Sequence, residues 1–309
     1  MSGSTTRRVL IAALLSALLA STGVACGKSN SPPRPALQPG QVPSAWYAGG
    51  RDCADRADFN VQAYNEGLFI LRQAACKNYE KPFLYLVPGN ARALLLDTGA
   101  GRVDVWGPVD SLVRAWSRRH GNASIQLVVA HSHAHGDHVA GDSQFVGKPN
   151  TVLVGRDTAA VRAFFGIARW PGDQGTIDLG DRVLDIIAIP GHQPASIAVY
   201  DRLTGVLLTG DTFYPGRLYV RDTASFARSV ARLVQFTSTH AVTHFLGAHV
   251  ENSRAPGVDY PVGTVDQPNE HDLDMTRTQL VELDSVVQGM RGRFVRTVRR
   301  DFTVWPQVP

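Results

Sequence analysis

The chain has 309 residues, 44% hydrophobic and 19% charged, which suits one large globular domain or two small ones with a core that needs no staples. The formal charge of +4 counts Arg7 and Arg8, and falls to +2 if a leader carrying them is removed. With no long basic run and no alternating basic and aromatic stripe, the charge gives no argument for nucleic acid as a partner.

Arg7 and Arg8 precede the apolar run VLIAALLSALLA, Val9 to Ala20, and small residues follow in STGVAC. Such a run is too short to span a bilayer but fits the apolar region of a secretory signal, so residues 1–25 are expected to be a signal peptide. The protein is then expected to be exported: secreted, periplasmic or held at the cell surface. Gly23-Val24-Ala25-Cys26 resembles a lipoprotein cleavage box, with Gly23 where a large aliphatic residue is usual. Two outcomes stay open: a lipidated Cys26 that attaches the protein to a membrane, and plain cleavage near Ala25. The arginine pair fits a twin-arginine export signal and an ordinary basic flank equally well.

Residues 26–45 are rich in Pro, Ser and Gly without apolar periodicity and read as a tether, which leaves 46–309 as the folded domain. Cys53 and Cys76 form an even pair in an exported chain and are expected to be joined, since no close C-x-x-C pair favours metal thiolates.

Three apolar runs bounded by turn residues, 68–73, 83–88 and 92–99, predict an antiparallel meander. A helix is predicted over 108–120, which opens on proline and acid and closes on basic residues. The buried strand 125–130 runs straight into HSHAHGDH, residues 131–138. Further strands are predicted at 151–155, 182–189, 196–201, 205–210, 242–247 and 302–305, with helices near 157–166, 223–237 and 270–289. Strands first, then strands mixed with helices, imply sheets sandwiched between helical layers.

The informative core of the histidine cluster is His133-x-His135-x-Asp137-His138. Histidines at i and i+2 lie on one side of extended chain and can face one ion. Adjacent Asp137 and His138 can serve a second ion once Gly136 lets the chain turn. His192, Asp211 and His249 each follow an apolar run, so their loops can meet at one sheet edge. His131 falls outside the pattern and is read as a supporting residue. His244 lies inside a strand and is set aside in favour of His249, and His120, His240 and His271 are read as surface residues.

In combination and order, these motifs resemble the metallo-β-lactamase superfamily of binuclear metallohydrolases, from about Trp46 onward. The resemblance implies an α/β fold, an αββα sandwich, with two divalent metal ions, zinc first, at one edge. It implies that His133, His135 and His192 hold one metal, that Asp137, His138 and His249 hold the other, and that Asp211 bridges them. Asp97, in LLLDTG, matches an aspartate motif of the family and is expected to support the ligands.

The reaction so implied is hydrolysis of a small-molecule carbonyl substrate by a metal-activated hydroxide, with Asp137 orienting it. No G-x-S-x-G elbow offers a covalent route. Asp211 stands where some β-lactamases of the family carry a cysteine, and instead looks like the hydroxyacylglutathione hydrolases, lactonases and related esterases. An ester or lactone is favoured, with a thioester or β-lactam as the alternative on the same site. From other classes, a binuclear iron oxidoreductase and a non-catalytic metal-binding protein stay open. Tyr214, three residues after Asp211, has two readings: packing against its loop, or, by likeness to lactonases of the family, a catalytic phenol at the pocket mouth.

Overall fold

The computed structural model describes residues 1–3, 36–47, 49, 50, 53, 55–122 and 124–307. The expected signal peptide beyond its first three residues, Cys26 and the first ten residues of the tether lie outside the described residues. Ala36–Pro309 forms one compact unit. Residues 36–45, read as tether, are in fact tied to it: Gln38 N donates to Leu203 O at 2.8 Å, Gln41 N to Tyr64 O at 3.0 Å, and Ala45 O accepts from Gln62 Nε2 at 2.9 Å. Proline-rich chain has few amide donors, and two of those it keeps, on Gln38 and Gln41, are spent on the body.

The first half builds β1 (Phe59–Asn65), β2 (Leu68–Gln73), β3 (Phe83–Pro88), β4 (Arg92–Leu96), α1 (Trp106–Arg119), β5 (Gln126–Ala130), the one-turn helix α2 (Gly136–Val139), β6 (Thr151–Leu153) and α3 (Thr158–Phe165). The second builds β7 (Gln174–Asp178), β8 (Val183–Ala188), β9 (Ile197–Asp201), β10 (Val206–Gly210), β11 (Arg217–Val220), α4 (Thr223–Thr239), β12 (His244–Gly247), β13 (Asp274–Met275), α5 (Arg277–Gly289), β14 (Thr297–Val298) and β15 (Thr303–Pro306). Two six-stranded sheets result, ordered β1-β2-β3-β4-β5-β6 and β13-β12-β10-β9-β8-β7, and a small sheet β11-β15-β14.

Period-two patterning assigns the faces. Phe83, Tyr85 and Val87 of β3 point into one cluster with Leu184 and Ile186 of β8 and Ile197 and Val199 of β9, so the two large sheets share a core. Leu84 and Leu86 face the other way, onto Val109 of α1. Ile187, Ala198 and Leu207 cover the outer face of the second sheet with Phe226, Val230 and Leu233 of α4 and Leu280 and Leu283 of α5. Helix, sheet, sheet, helix is the αββα sandwich expected.

Two helix boundaries differ from expectation for local reasons. α1 starts before Pro108, which a first turn tolerates because its missing N–H has no partner there anyway. α5 starts at Arg277 instead of near 270, because Thr276 and Gln279 form a reciprocal capping box. Strands β1, β7, β11, β13 and β14 are absent from the sequence prediction; β1 and β7, for example, carry only two buried residues each.

Candidate metal centre

β4 and β5 are parallel, so Asp97 and the histidine cluster emerge at the same sheet edge. β10 and β12 are parallel, and β8 runs the same way because β9 lies antiparallel to both β8 and β10. His192, Asp211 and His249 therefore leave the second sheet at one edge, facing the cluster from the first. Glycines allow the close packing. Gly191 adopts φ 144°, and a Cβ there would lie 2.4 Å from Phe226 Cα of α4.

The structure gathers all seven expected ligands into two groups: His133, His135 and His192, and Asp137, His138, Asp211 and His249. Within each group one donor atom per residue lies within 4.8 Å of every other. In the first, His135 Nδ1 is 2.9 Å from both His133 Nε2 and His192 Nε2, which are 3.1 Å apart. In the second, His138 Nε2 and His249 Nε2 are 3.4 Å apart, and each is 3.3 Å from Asp137 Oδ2.

Asp211 joins the groups. Its Oδ2 lies 3.7 Å from His133 Nε2 and 3.5 Å from His192 Nε2, while its Oδ1 lies 3.5 Å from both His138 Nε2 and His249 Nε2. Buried Asp211 Oδ1 has no hydrogen-bond partner. A desolvated carboxylate oxygen of this kind is costly unless a cation completes it, so the residues present fit a metal pair. Mixed imidazole and carboxylate donors suit divalent ions such as zinc.

The rings are aimed from behind. His192 Nδ1 donates to Tyr219 O at 2.8 Å, and His249 Nδ1 to Glu80 O at 3.0 Å. His138 Nδ1 donates to Asp97 Oδ2 at 2.9 Å. Each bond commits Nδ1 as donor and turns Nε2 inward. Asp97 holds a left-handed φ of 72°, which its side chain repays locally: it also accepts from Ser132 N at 2.7 Å and Ser132 Oγ at 2.8 Å. The support expected of Asp97 is present.

Electrostatics separate the groups. Burial, with the charge of His138, pushes His133 well below the ordinary histidine value, and burial and His192 hold His135 down to about 4. Burial lowers His192 too, against the pull of Asp211. Burial also opposes charge on His138 and His249, but Asp211 and its neighbours outweigh it, raising His138 well above the ordinary value and His249 to about 9. Burial works to raise Asp137 and Asp211, yet these histidines keep both below the usual carboxylate range.

Tyr214 is a correction. Its ring is 1% exposed, and its hydroxyl donates to Arg217 O, with Glu251 Oε2 3.2 Å away, so it is not at a pocket mouth. Gly216 leaves room for the ring, since a Cβ there would lie 2.4 Å from Tyr214 Cε2, and Gly247 leaves room for its Cβ. His131 lies in neither group; it is buried with Nε2 2.8 Å from Asp142 Oδ1. His244 faces Tyr64 Oη at 2.9 Å and also stays outside both groups. Sequence reasoning missed the Glu80 and Tyr219 carbonyls, because a backbone acceptor has no residue signature.

Two adjoining His/Asp donor groups where the strand ends of two sheets converge define a metal-binding protein of the αββα class. A sequence profile of the Metallo-beta-lactamase superfamily matches residues 82–245, more than half of the chain, and the chain belongs to that family. The acyl-coenzyme A thioesterase MBLAC2 of Bos taurus is 25% identical over 223 residues, 61% of this chain and 80% of that protein. A hydroxyacylglutathione hydrolase of Chromohalobacter salexigens is 30% identical over 145 residues, 45% of this chain and 55% of that enzyme, so only about half of its length is matched. Among solved structures, a metallo-beta-lactamase from Pontibacter korlensis covers 74% of this chain and 99% of its own, at 17% identity and a TM-score of 0.47.

Proposed function

We propose that the chain is an exported, metal-dependent hydrolase of small acyl esters, with thioesters ahead of lactones. The observation that carries the proposal is Asp211, which offers one carboxylate oxygen to each donor group. His133, His135 and His192 would hold one divalent cation, and Asp137, His138 and His249 the other. A zinc pair bound there supplies Lewis acidity toward a carbonyl oxygen and acidifies water.

The chain's own residues do the rest. Asp137, at 22% side-chain exposure against 8% for Asp211, is the open face of the second group, placed to orient an attacking water and accept its proton. Half-buried His135 marks the open side of the first group. Tyr219 and Glu80 carbonyls and Asp97 keep the rings fixed through the reaction.

Thioesters move ahead of lactones for two reasons. The inward turn of Tyr214 removes the phenol that favoured a lactone, and two relatives bear the names acyl-coenzyme A thioesterase and hydroxyacylglutathione hydrolase. Export keeps its support from the leader-like run and from the Cys53–Cys76 disulfide, which suits an oxidising compartment. The test is turnover of acyl thioesters, lactones, β-lactams and phosphodiesters by zinc-loaded protein, with and without chelator. The expected result is chelator-sensitive turnover with the highest kcat/KM on a thioester; a chelator-insensitive or lactone-dominated profile contradicts it.

A further inference from the structure

The loop between β2 and β3, residues 74–82, supplies the Glu80 carbonyl that accepts from His249 Nδ1 at 3.0 Å. That carbonyl belongs to the peptide joining Glu80 to Lys81. The amide of the same peptide, Lys81 N–H, donates to Asn78 O at 3.1 Å. Because the peptide is planar, any swing of Lys81 carries the carbonyl away from His249. Lys81 itself holds φ 38°, a left-handed conformation that a residue with a Cβ resists unless its surroundings impose it.

The surroundings are an ion cluster. Lys81 is 3% exposed, and its Nζ lies 3.6 Å from Glu270 Oε1. Both Glu270 oxygens accept from Arg72 of β2 at 2.5 Å, and Arg72, 1% exposed, lies over the Phe83 ring at 4.9 Å. Burial pulls the Lys81 ammonium down to about 8, and the Glu270 carboxylate beside it opposes the fall. Glu270 is fixed in turn to the chain just beyond His249: its carbonyl accepts from Arg254 Nε at 3.0 Å, and its backbone bridges Ser253. The far end of the loop is held by the Cys53–Cys76 disulfide, and its exit by Phe83 N donating to Ala248 O at 2.8 Å.

We propose that Lys81, clamped by Glu270, is a positioning residue for the second donor group: it fixes the Glu80–Lys81 peptide so that the carbonyl holds His249 Nδ1–H and Nε2 faces Asp137 and Asp211. The proposal rests on the reading of Asp137, His138, Asp211 and His249 as a metal site. The first donor group takes no support from this loop. His192 leans on Tyr219, and His133 and His135 come from the chain after β5.

The test is Lys81→Met, which keeps most of the unbranched stem, removes the ammonium and leaves both residues of the Arg72–Glu270 pair in place. Chelator-stripped full chain, wild type and variant, is titrated with Zn2+ against a chromophoric competitor so that two binding steps are resolved. The expected result is an unchanged first step and a second step weakened about tenfold to a hundredfold, the range for losing an outer support of a ligand, with Lys81→Arg restoring it. Faster exchange of the His249 Nδ1–H proton in the variant is the matching spectroscopic result. Two steps identical to wild type overturn the proposal, as do two steps weakened equally, which is the signature of general loosening. If Lys81→Met does not fold, Lys81→Gln carries the same expectations. A wild-type chain that binds fewer than two metals overturns the metal-site reading instead, so the two failures are told apart.

Discussion

His133, His135 and His192 meet as three neutral imidazoles, whereas His138 and His249 sit among Asp97, Asp137 and Asp211 and hold protons at neutral pH. Both groups are largely buried, and desolvation pushes every histidine toward the neutral form. The second group differs because carboxylates overrule that push. An ion entering the first group finds lone pairs waiting; an ion entering the second must displace protons. On the two-metal reading, the same edge of the sandwich would carry one site ready at pH 7 and one whose affinity is tuned by acid.

Asp211 is the residue that makes the comparison a pair instead of two independent sites, so its loss has the largest expected effect. Asp211→Asn should weaken both binding steps and cut turnover by more than about a hundredfold, since losing an outer support already costs up to that much. Metal titration beside steady-state kinetics checks it; loss of one step alone would mean that Asp211 belongs to a single site.

Asp97 backs the second group directly, through His138 Nδ1, and reaches His133 of the first only through Ser132 Oγ, 3.2 Å from His133 Nδ1. Asp97→Asn keeps a residue type that tolerates the left-handed φ and still accepts from Ser132, yet removes the charge behind His138. The second step should weaken about tenfold to a hundredfold and the first, reached only through Ser132, by clearly less. Resolved binding isotherms decide it.

Acid sharpens the contrast. His249 titrates at about 9 in the metal-free chain and His138 higher than an ordinary histidine, so at pH 7 both are protonated and must lose those protons when the second metal binds. Proton release of about two per chain should accompany that step, and its affinity should fall steadily as pH drops below 9. The first step should stay flat to lower pH than the second, since burial holds His133, His135 and His192 below the ordinary histidine value. Calorimetry in buffers of different ionisation enthalpy counts the protons; equal release in both steps would erase the distinction.

The smallest effect belongs to Tyr214→Phe. Its hydroxyl serves Arg217 O and Glu251, so the variant should lose about 1–2 kcal/mol of stability for the orphaned buried acceptors, with metal binding and kinetics unchanged. Denaturant melts and kinetics on the best substrate check the two halves.

The two donor groups were legible in the sequence because their members are residues of distinctive chemistry after apolar runs, where chain direction alone brings them to one sheet edge. The two-sheet sandwich was legible for the same reason, since β3, β8 and β9 are apolar enough to announce themselves. What escaped was carried by backbone or by side-chain direction. The Glu80 and Tyr219 carbonyls have no sequence signature, and the linear spacing of Tyr214 from Asp211 could not tell that its hydroxyl is taken up by Arg217 O and Glu251. β11, which presents the Tyr219 carbonyl, is four residues long and was hidden in its loop. The ion cluster of Arg72, Lys81 and Glu270 joins residues almost two hundred positions apart, and no local pattern marks it.

The central claim, two adjoining metal sites bridged by Asp211, is tested most directly by anomalous diffraction from crystals of the chain grown with zinc. The account predicts two peaks about 3.5–4 Å apart, one bounded by His133, His135 and His192, the other by Asp137, His138 and His249, with Asp211 touching both. A single peak under zinc-replete conditions, or two peaks with Asp211 bound to neither or to only one, would contradict it.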